Sequence, residues 1–176
     1  MIRCKYATVG RNGAKITQIV IHTMESPEKP DTAESVARWF AGPTAPKSSI
    51  HVCVDSNSAV RCLPDTDTAW HSGVWAVNVR SLGVELAGTA KQSKQQWHDQ
   101  YSTSELHQAA KVVAAWCKQY NIPVVHLSPA AVKAGKAGIC GHNDVTKAFN
   151  VVGGHTDPGP NFPWPDFLQL VTKLKG

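Results

Sequence analysis

The apolar positions of the chain fall into short continuous runs and helical stripes. Gln18-Ile19-Val20-Ile21-His22 has the pattern of a buried strand that ends on a histidine. Residues 50–55 and 59–63 are β-rich runs around Ser56-Asn57-Ser58, which predicts a hairpin, and 82–87 predicts a further strand. Asp31-Thr32-Ala33-Glu34 has the form of a capping box at the start of a short helix. That helix carries Val36, Trp39 and Phe40 on one side, and Gly42-Pro43 ends it. The longest helix is expected from Ser102, with Glu105 completing a second capping box. Leu106, Ala109, Val113, Trp116, Cys117 and Tyr120 recur at helical spacing up to Asn121, before Pro123 stops it. Residues 127–162, rich in Gly, Ala and Pro, predict a long and mostly irregular excursion, a type of segment that in compact domains is usually functional. A final helix over about 164–174 presents Phe167, Leu168, Val171 and Leu174 to the core. Strands interleaved with helices at irregular spacing imply an α/β fold, a mixed central β-sheet flanked by helices. No repeat or linker interrupts the pattern, so residues 1–176 are expected to form a single domain.

Composition narrows the function classes. A length of 176 residues, 42% of them hydrophobic and 18% charged, suits one globular core rather than a disordered chain. No apolar run approaches the ~20 residues needed to cross a bilayer, so stable membrane insertion is not expected. The opening segment, MIRCKYATVGRNGAK, holds basic residues but no apolar stretch of signal-peptide length. If that terminus is complete, the chain does not enter the secretory pathway by itself. The net charge of +5 suits approach to an anionic surface of any kind. Without a helix-turn-helix pattern, a basic-aromatic RNA signature or a P-loop, nucleic acid is not an expected partner. Five cysteines form an odd set with no C-x-x-C pair, which argues against a disulfide framework and a zinc knuckle. Cys53 and Cys62 flank the hairpin turn as either reduced thiols or a disulfide, and Cys117 reads as core.

Three segments carry candidate chemistry. His22 ends its strand where a side chain can reach a cleft, as either a hydrogen-bonded structural residue or a ligand. Gly141-His142-Asn143-Asp144 is the second. The third, Gly154-His155-Thr156-Asp157-Pro158-Gly159-Pro160, places a His and an Asp two residues apart on a backbone shaped by turn residues. Two imidazoles and a carboxylate leave a tetrahedral zinc one open position, the arrangement of a hydrolytic site in which bound water titrates near pH ~7. Spacing alone does not settle whether such a site exists.

Six segments in order give the chain a family likeness. They are Ile19-Val20-Ile21-His22-Thr23, Ser48-Ser49-Ile50-His51, Ala69-Trp70-His71-Ser72-Gly73, Ser81-Leu82-Gly83-Val84-Glu85-Leu86, Gly141-His142-Asn143-Asp144, and the block from His155 through Asp157-Pro158-Gly159-Pro160 to Asn161-Phe162-Pro163-Trp164. Together they resemble the type-2 N-acetylmuramoyl-L-alanine amidases, whose fold is shared with phage T7-type lysozyme and the peptidoglycan recognition proteins. The resemblance spans about residues 16 to 174 and is nearest to the amidase domains of phage endolysins acting on actinobacterial walls. It implies His22, His142 and Asp157 as zinc ligands and Glu85 as the catalytic carboxylate. It places His155 where many relatives have lysine, a position for stabilising an oxyanion. His71, His51 and Trp70 are implied as cleft residues that bind substrate, with His51 open to a core role. Cys140 stands as the alternative to His142. Trp75, Trp97 and Trp164 are either sugar platforms or packing residues, and His98 and His107 are expected on the surface.

The activity implied is zinc-dependent hydrolysis of the amide between N-acetylmuramic acid and L-alanine in peptidoglycan. The implied setting is a monomeric phage endolysin domain, made in the host cytoplasm and acting on the cell wall after release. A peptidoglycan-binding module without hydrolysis and a cytoplasmic muropeptide-recycling amidase are the alternatives; the first is disfavoured because a candidate exists for every ligand and for the carboxylate.

Overall fold

β1 (Gln18–Thr23) is buried at all six positions, as expected of a strand with structure on both faces. In the computed structural model, which describes residues 1–176, it is flanked by two parallel strands, β4 (Ser81–Leu86) and β5 (Gly138–Gly141). The sheet has five strands in the order β3-β2-β4-β1-β5. β2 (Val52–Val54) runs parallel to β4, and β3 (Ala59–Arg61) returns antiparallel to β2 across the expected hairpin.

Alternation along the strands divides the molecule into two layers. Ile19, Ile21, Leu82, Val84 and Leu86 face one main core, built with α3 (Gln100–Gln119) and α6 (Trp164–Lys175) through residues such as Val113, Trp116, Phe167 and Val171. The opposite face carries Val20 and Cys140, which pack against Val145 and Ala148 of α5 (His142–Phe149), and Cys53, which packs with Phe40 of α1 (Thr32–Ala41). The four parallel strands therefore bring their carboxyl ends to one edge of the sheet, the edge at which open α/β sheets bind ligands.

Several expectations change in detail. The long helix is capped by Asp99, whose carboxylate accepts from the Ser102 amide at 2.8 Å. Glu105, expected to complete a capping box with Ser102, is fully buried and makes no such contact. α1 buries Ala33, Ala37 and Phe40, whereas Trp39 is 50% exposed and lies outside the core stripe expected for it. Its first turn is held by a distant group, since Asp31 makes no side-chain cap and Asp55 accepts from the Ala33 amide at 3.0 Å. The excursion over 127–162 is irregular over about half of its length, with its regular part gathered before residue 150. It contains α4 (Pro129–Lys133), β5 and α5, elements of four to eight residues, with a short turn between α4 and β5 and α5 following β5 directly. A further short helix, α2 (Trp75–Asn78), was also not expected. All five cysteines are free and buried, with the Cys53 and Cys62 sulfurs 3.8 Å apart. No helix is long and apolar enough to cross a membrane.

Candidate metal centre and active-site cleft

The site is assembled at the carboxyl edge of the sheet. His22, the penultimate residue of β1, points to the same face as Val20. Its register partner on β4 is Glu85. His142 is the first residue of α5, directly after β5. Asp157 comes from the Pro/Gly-rich loop, which is pinned at two points. The Asn143 amide, at the N-terminus of α5, donates to the Asp157 carbonyl at 2.9 Å. Gly141 has no Cβ, and one there would lie 2.6 Å from Pro158, so only glycine lets the loop close this tightly on β5.

Three donor atoms converge. His22 Nδ1 lies 3.1 Å from His142 Nδ1 and 3.2 Å from Asp157 Oδ2, and His142 Nδ1 lies 3.2 Å from Asp157 Oδ1. All three residues are buried. Ligands about 2.0–2.1 Å from a tetrahedral zinc stand roughly 3.3 Å from one another, close to the observed triangle. Two imidazole nitrogens and a carboxylate are also a donor set that zinc accepts. The residues present fit the metal. Burial works to raise the Asp157 carboxyl, but the adjoining imidazoles of His142 and His22 outweigh it and hold the group below the ordinary carboxylate range. Burial, partly offset by Asp157, lowers His22 to about 4, so its imidazole is neutral at physiological pH, as a metal ligand must be.

Glu85, the register partner of His22 on β4, makes no hydrogen bond through its buried Oε2. Burial first, and then the Asp157 charge, push its carboxyl well above the usual range. It lines a cavity of about 250 Å³ together with His22, His142 and Asp157, walled on one side by Met24 and Trp39. His155 stacks on His142, ring centres 4.4 Å apart and planes 11° from parallel. Its side chain is 69% exposed, and Nδ1 is 3.7 Å from Asp157 Oδ1, which places it on the cleft rim rather than among the three converging donors.

The expected cleft residues separate. Trp70 is half-buried and flanks a second depression with Lys47 and Trp75, its indole donating to Thr8 at 2.9 Å. His71 borders both depressions, but its two ring nitrogens are engaged by His22 and Ser81 inside the protein, which leaves neither free for a substrate hydrogen bond. His51 does not line the cleft at all. It is fully buried beside Arg11, Asp67 and Gly83, and burial with the Arg11 charge lowers it to about 3. Cys140, the alternative ligand, is buried among Val20 and Val145, and burial raises its thiol. Trp97 is core and Trp164 stacks on His126 at 3.9 Å, so of the three tryptophans only Trp75, half exposed, faces the cleft. The wall formed by Trp39 and Met24 escaped sequence reasoning, because Trp39 fits a helical apolar stripe equally well.

Comparison with known proteins agrees with this architecture. The 1,6-anhydro-N-acetylmuramyl-L-alanine amidase AmpD of Citrobacter freundii is 28% identical over 141 residues, which cover 76% of this chain and 63% of that relative. The chain thus matches somewhat less than two thirds of the curated relative's length. Among solved structures, the Staphylococcus aureus hydrolase AmiA superimposes with a TM-score of 0.68 at 19% identity, covering 96% of this chain and 78% of that one. A mutant endolysin from Bacillus subtilis gives a TM-score of 0.59 at 16% identity, covering 93% and 92%. At such identities the superpositions speak for the fold. Residues 12–160 match the family described as N-acetylmuramoyl-L-alanine amidase, and the chain belongs to that family.

Proposed function

We propose that the chain hydrolyses the amide bond between N-acetylmuramic acid and L-alanine in peptidoglycan, with zinc held by His22, His142 and Asp157. The observation that carries this reading is the triangle of donor atoms 3.1–3.2 Å apart beside the unpartnered Glu85 carboxyl. Bound zinc would supply Lewis acidity toward the lactyl carbonyl and toward a water molecule.

The chain's own residues would do the rest. A cation at the triangle favours the ionised form of Glu85, against the burial that disfavours it in the metal-free protein. As a carboxylate, Glu85 takes a proton from the attacking water and returns it to the departing alanine amine. His155, on the rim, donates to the carbonyl oxygen as negative charge develops there. Trp39 and Met24 on one side and Trp75 with Lys47 on the other hold the polymer across the cleft. We place the protein as a monomeric endolysin domain, made in a phage host's cytoplasm and acting on the wall after release.

The similarity to AmpD favours a second reading, in which the substrate is a soluble anhydromuropeptide. Mass spectrometry of products from purified sacculi and from soluble muropeptides tests both. Stem peptides with free alanine N-termini, released from sacculi, are the expected result. Turnover of soluble muropeptides alone would establish the recycling reading, and no new alanine N-terminus from either substrate would leave only a binding module.

A further inference from the structure

We propose that His71 is a positioning residue that, locked by Ser81, fixes the ring of His22 in the tautomer whose Nδ1 lone pair faces the metal position. The inference rests on the zinc reading above and adds a reason why the first ligand is ready to bind.

A chain of short contacts runs from the metal triangle into the protein. His22 Nε2 lies 2.9 Å from His71 Nδ1, His71 Nε2 lies 3.0 Å from Ser81 Oγ, and Ser81 Oγ lies 2.7 Å from the Val77 carbonyl. The direction of every hydrogen follows from the last contact. A carbonyl oxygen only accepts, and a serine hydroxyl has a single hydrogen, so Ser81 donates to Val77. His71 must then carry its hydrogen on Nε2, donating to Ser81, and its Nδ1 becomes an acceptor. His22 accordingly carries its hydrogen on Nε2 and keeps a lone pair on Nδ1, the atom that meets His142 and Asp157. The opposite direction would set the lone pairs of Ser81 and Val77 against each other at 2.7 Å.

The surroundings are built to keep this chain in place. His71 and Ser81 are both buried, so water does not compete for the contacts. The Asn78 side chain accepts from the Ser72 amide at 2.9 Å and from the Ser72 hydroxyl at 2.7 Å, which ties the His71 backbone to α2, the helix that supplies the Val77 carbonyl. Residue 83, beneath the ring, is glycine, and a Cβ there would lie 3.0 Å from His71 Nδ1 and 2.5 Å from Ile50. Outer partners of this kind orient ligating imidazoles, and losing one typically weakens metal binding 10–100-fold.

Two measurements test the proposal. In the metal-free wild type, long-range ¹⁵N–¹H correlation spectra should show the His71 hydrogen on Nε2; finding it on Nδ1 would overturn the chain whatever the protein binds. Zinc affinity is then read by competition with a chromophoric chelator, in the wild type and in His71→Leu, His71→Asn and Ser81→Ala. The leucine variant should bind zinc about 10–100-fold more weakly, and asparagine, whose amide oxygen can replace the Nδ1 acceptor, should recover most of that loss. Ser81→Ala should weaken binding and spread the His71 hydrogen over both nitrogens. If His71→Leu does not fold, the alanine variant decides: unchanged affinity and an unchanged tautomer there would overturn the proposal. A folded leucine variant with wild-type affinity, or leucine and asparagine variants that lose affinity equally, would reduce His71 to packing. Wild type that binds no zinc would instead remove the metal reading, while the tautomer result would stand by itself.

Discussion

At the scale of single residues, the proposed chemistry divides among groups that separate experiments can read. One zinc per chain is expected in the wild type, and His22→Ala or Asp157→Ala should lose it, measured by elemental analysis after desalting. Equal zinc in all three proteins would refute the ligand assignment. Glu85→Gln should keep both the fold and the metal while turnover on sacculi falls ~10²–10⁴-fold, the usual worth of a general acid–base. Near-normal turnover in that variant would move the base elsewhere, with His155 next. His155→Ala should lose less than the ~10²–10³-fold typical of a water-excluded oxyanion donor, because the side chain is mostly exposed. His155→Lys, which keeps a donor at this rim position, should retain activity.

At the scale of elements, Asp55 shows how one buried carboxylate ties segments together. Its Oδ2 caps α1 through the Ala33 amide, and its Oδ1 accepts from the amides of Asn57 and Ser58 and from the Ser58 hydroxyl, closing the β2–β3 turn. Asp55→Ala removes the acceptor from all of them and should destabilise the fold by about 2–4 kcal/mol, seen as a lower urea midpoint with an unchanged slope. A midpoint within error of wild type would show that water replaces the carboxylate freely. Nothing near Asp31 in the sequence points to a cap arriving from residue 55. Sequence periodicity found β1, the hairpin, β4, α3 and α6, because each repeats its pattern often enough to be seen. It missed β5, whose Gly-Ile-Cys-Gly has one large apolar residue and glycine at both ends. It missed α2, which is a single turn. The candidate ligands were legible through motif resemblance, since His22, His142 and Asp157 lie too far apart in the chain for spacing to join them. His71 was noticed, but its engagement with His22 depends on two rings meeting across β4, which no local pattern encodes.

At the scale of the whole molecule, buried titratable groups give the metal-free protein a stability optimum. His22 and His51 are lowered to about 4 and about 3, and His71 is lowered well below its usual range, burial leading in each case. Below pH ~6.5 the unfolded chain takes up protons at these positions that the folded protein refuses, so stability is lost as pH falls. Glu85 and Glu105 are raised well above their usual range, burial again leading. The folded protein keeps those two protons at pH values where the unfolded chain has released them, so stability is also lost as pH rises from ~4.5. Glu28, also raised by burial, acts in the same sense as these two carboxyls, and above pH ~6.5 the histidines no longer count. Urea midpoints of the zinc-free protein should therefore fall toward acid, through the histidines, and toward alkali, through the carboxyls. Glu105→Gln, which cannot ionise, should flatten the alkaline side, and an alkaline side equally steep in that variant would show that Glu105 does not contribute.

The register of β1 with β4, which sets His22 directly opposite Glu85, has an engineering consequence. Neighbouring strands are held ~4.8 Å apart by backbone hydrogen bonds whatever side chains they carry. The interval between the backbones of His22 and Glu85 is thus set by the sheet, while Trp39 and Trp75 sit on helices outside it. Cleft wall and reaction centre become separable modules: exchanging 31–49 between amidases of this family should change how tightly wall polymers are bound and leave turnover of a minimal muramyl dipeptide substrate unchanged.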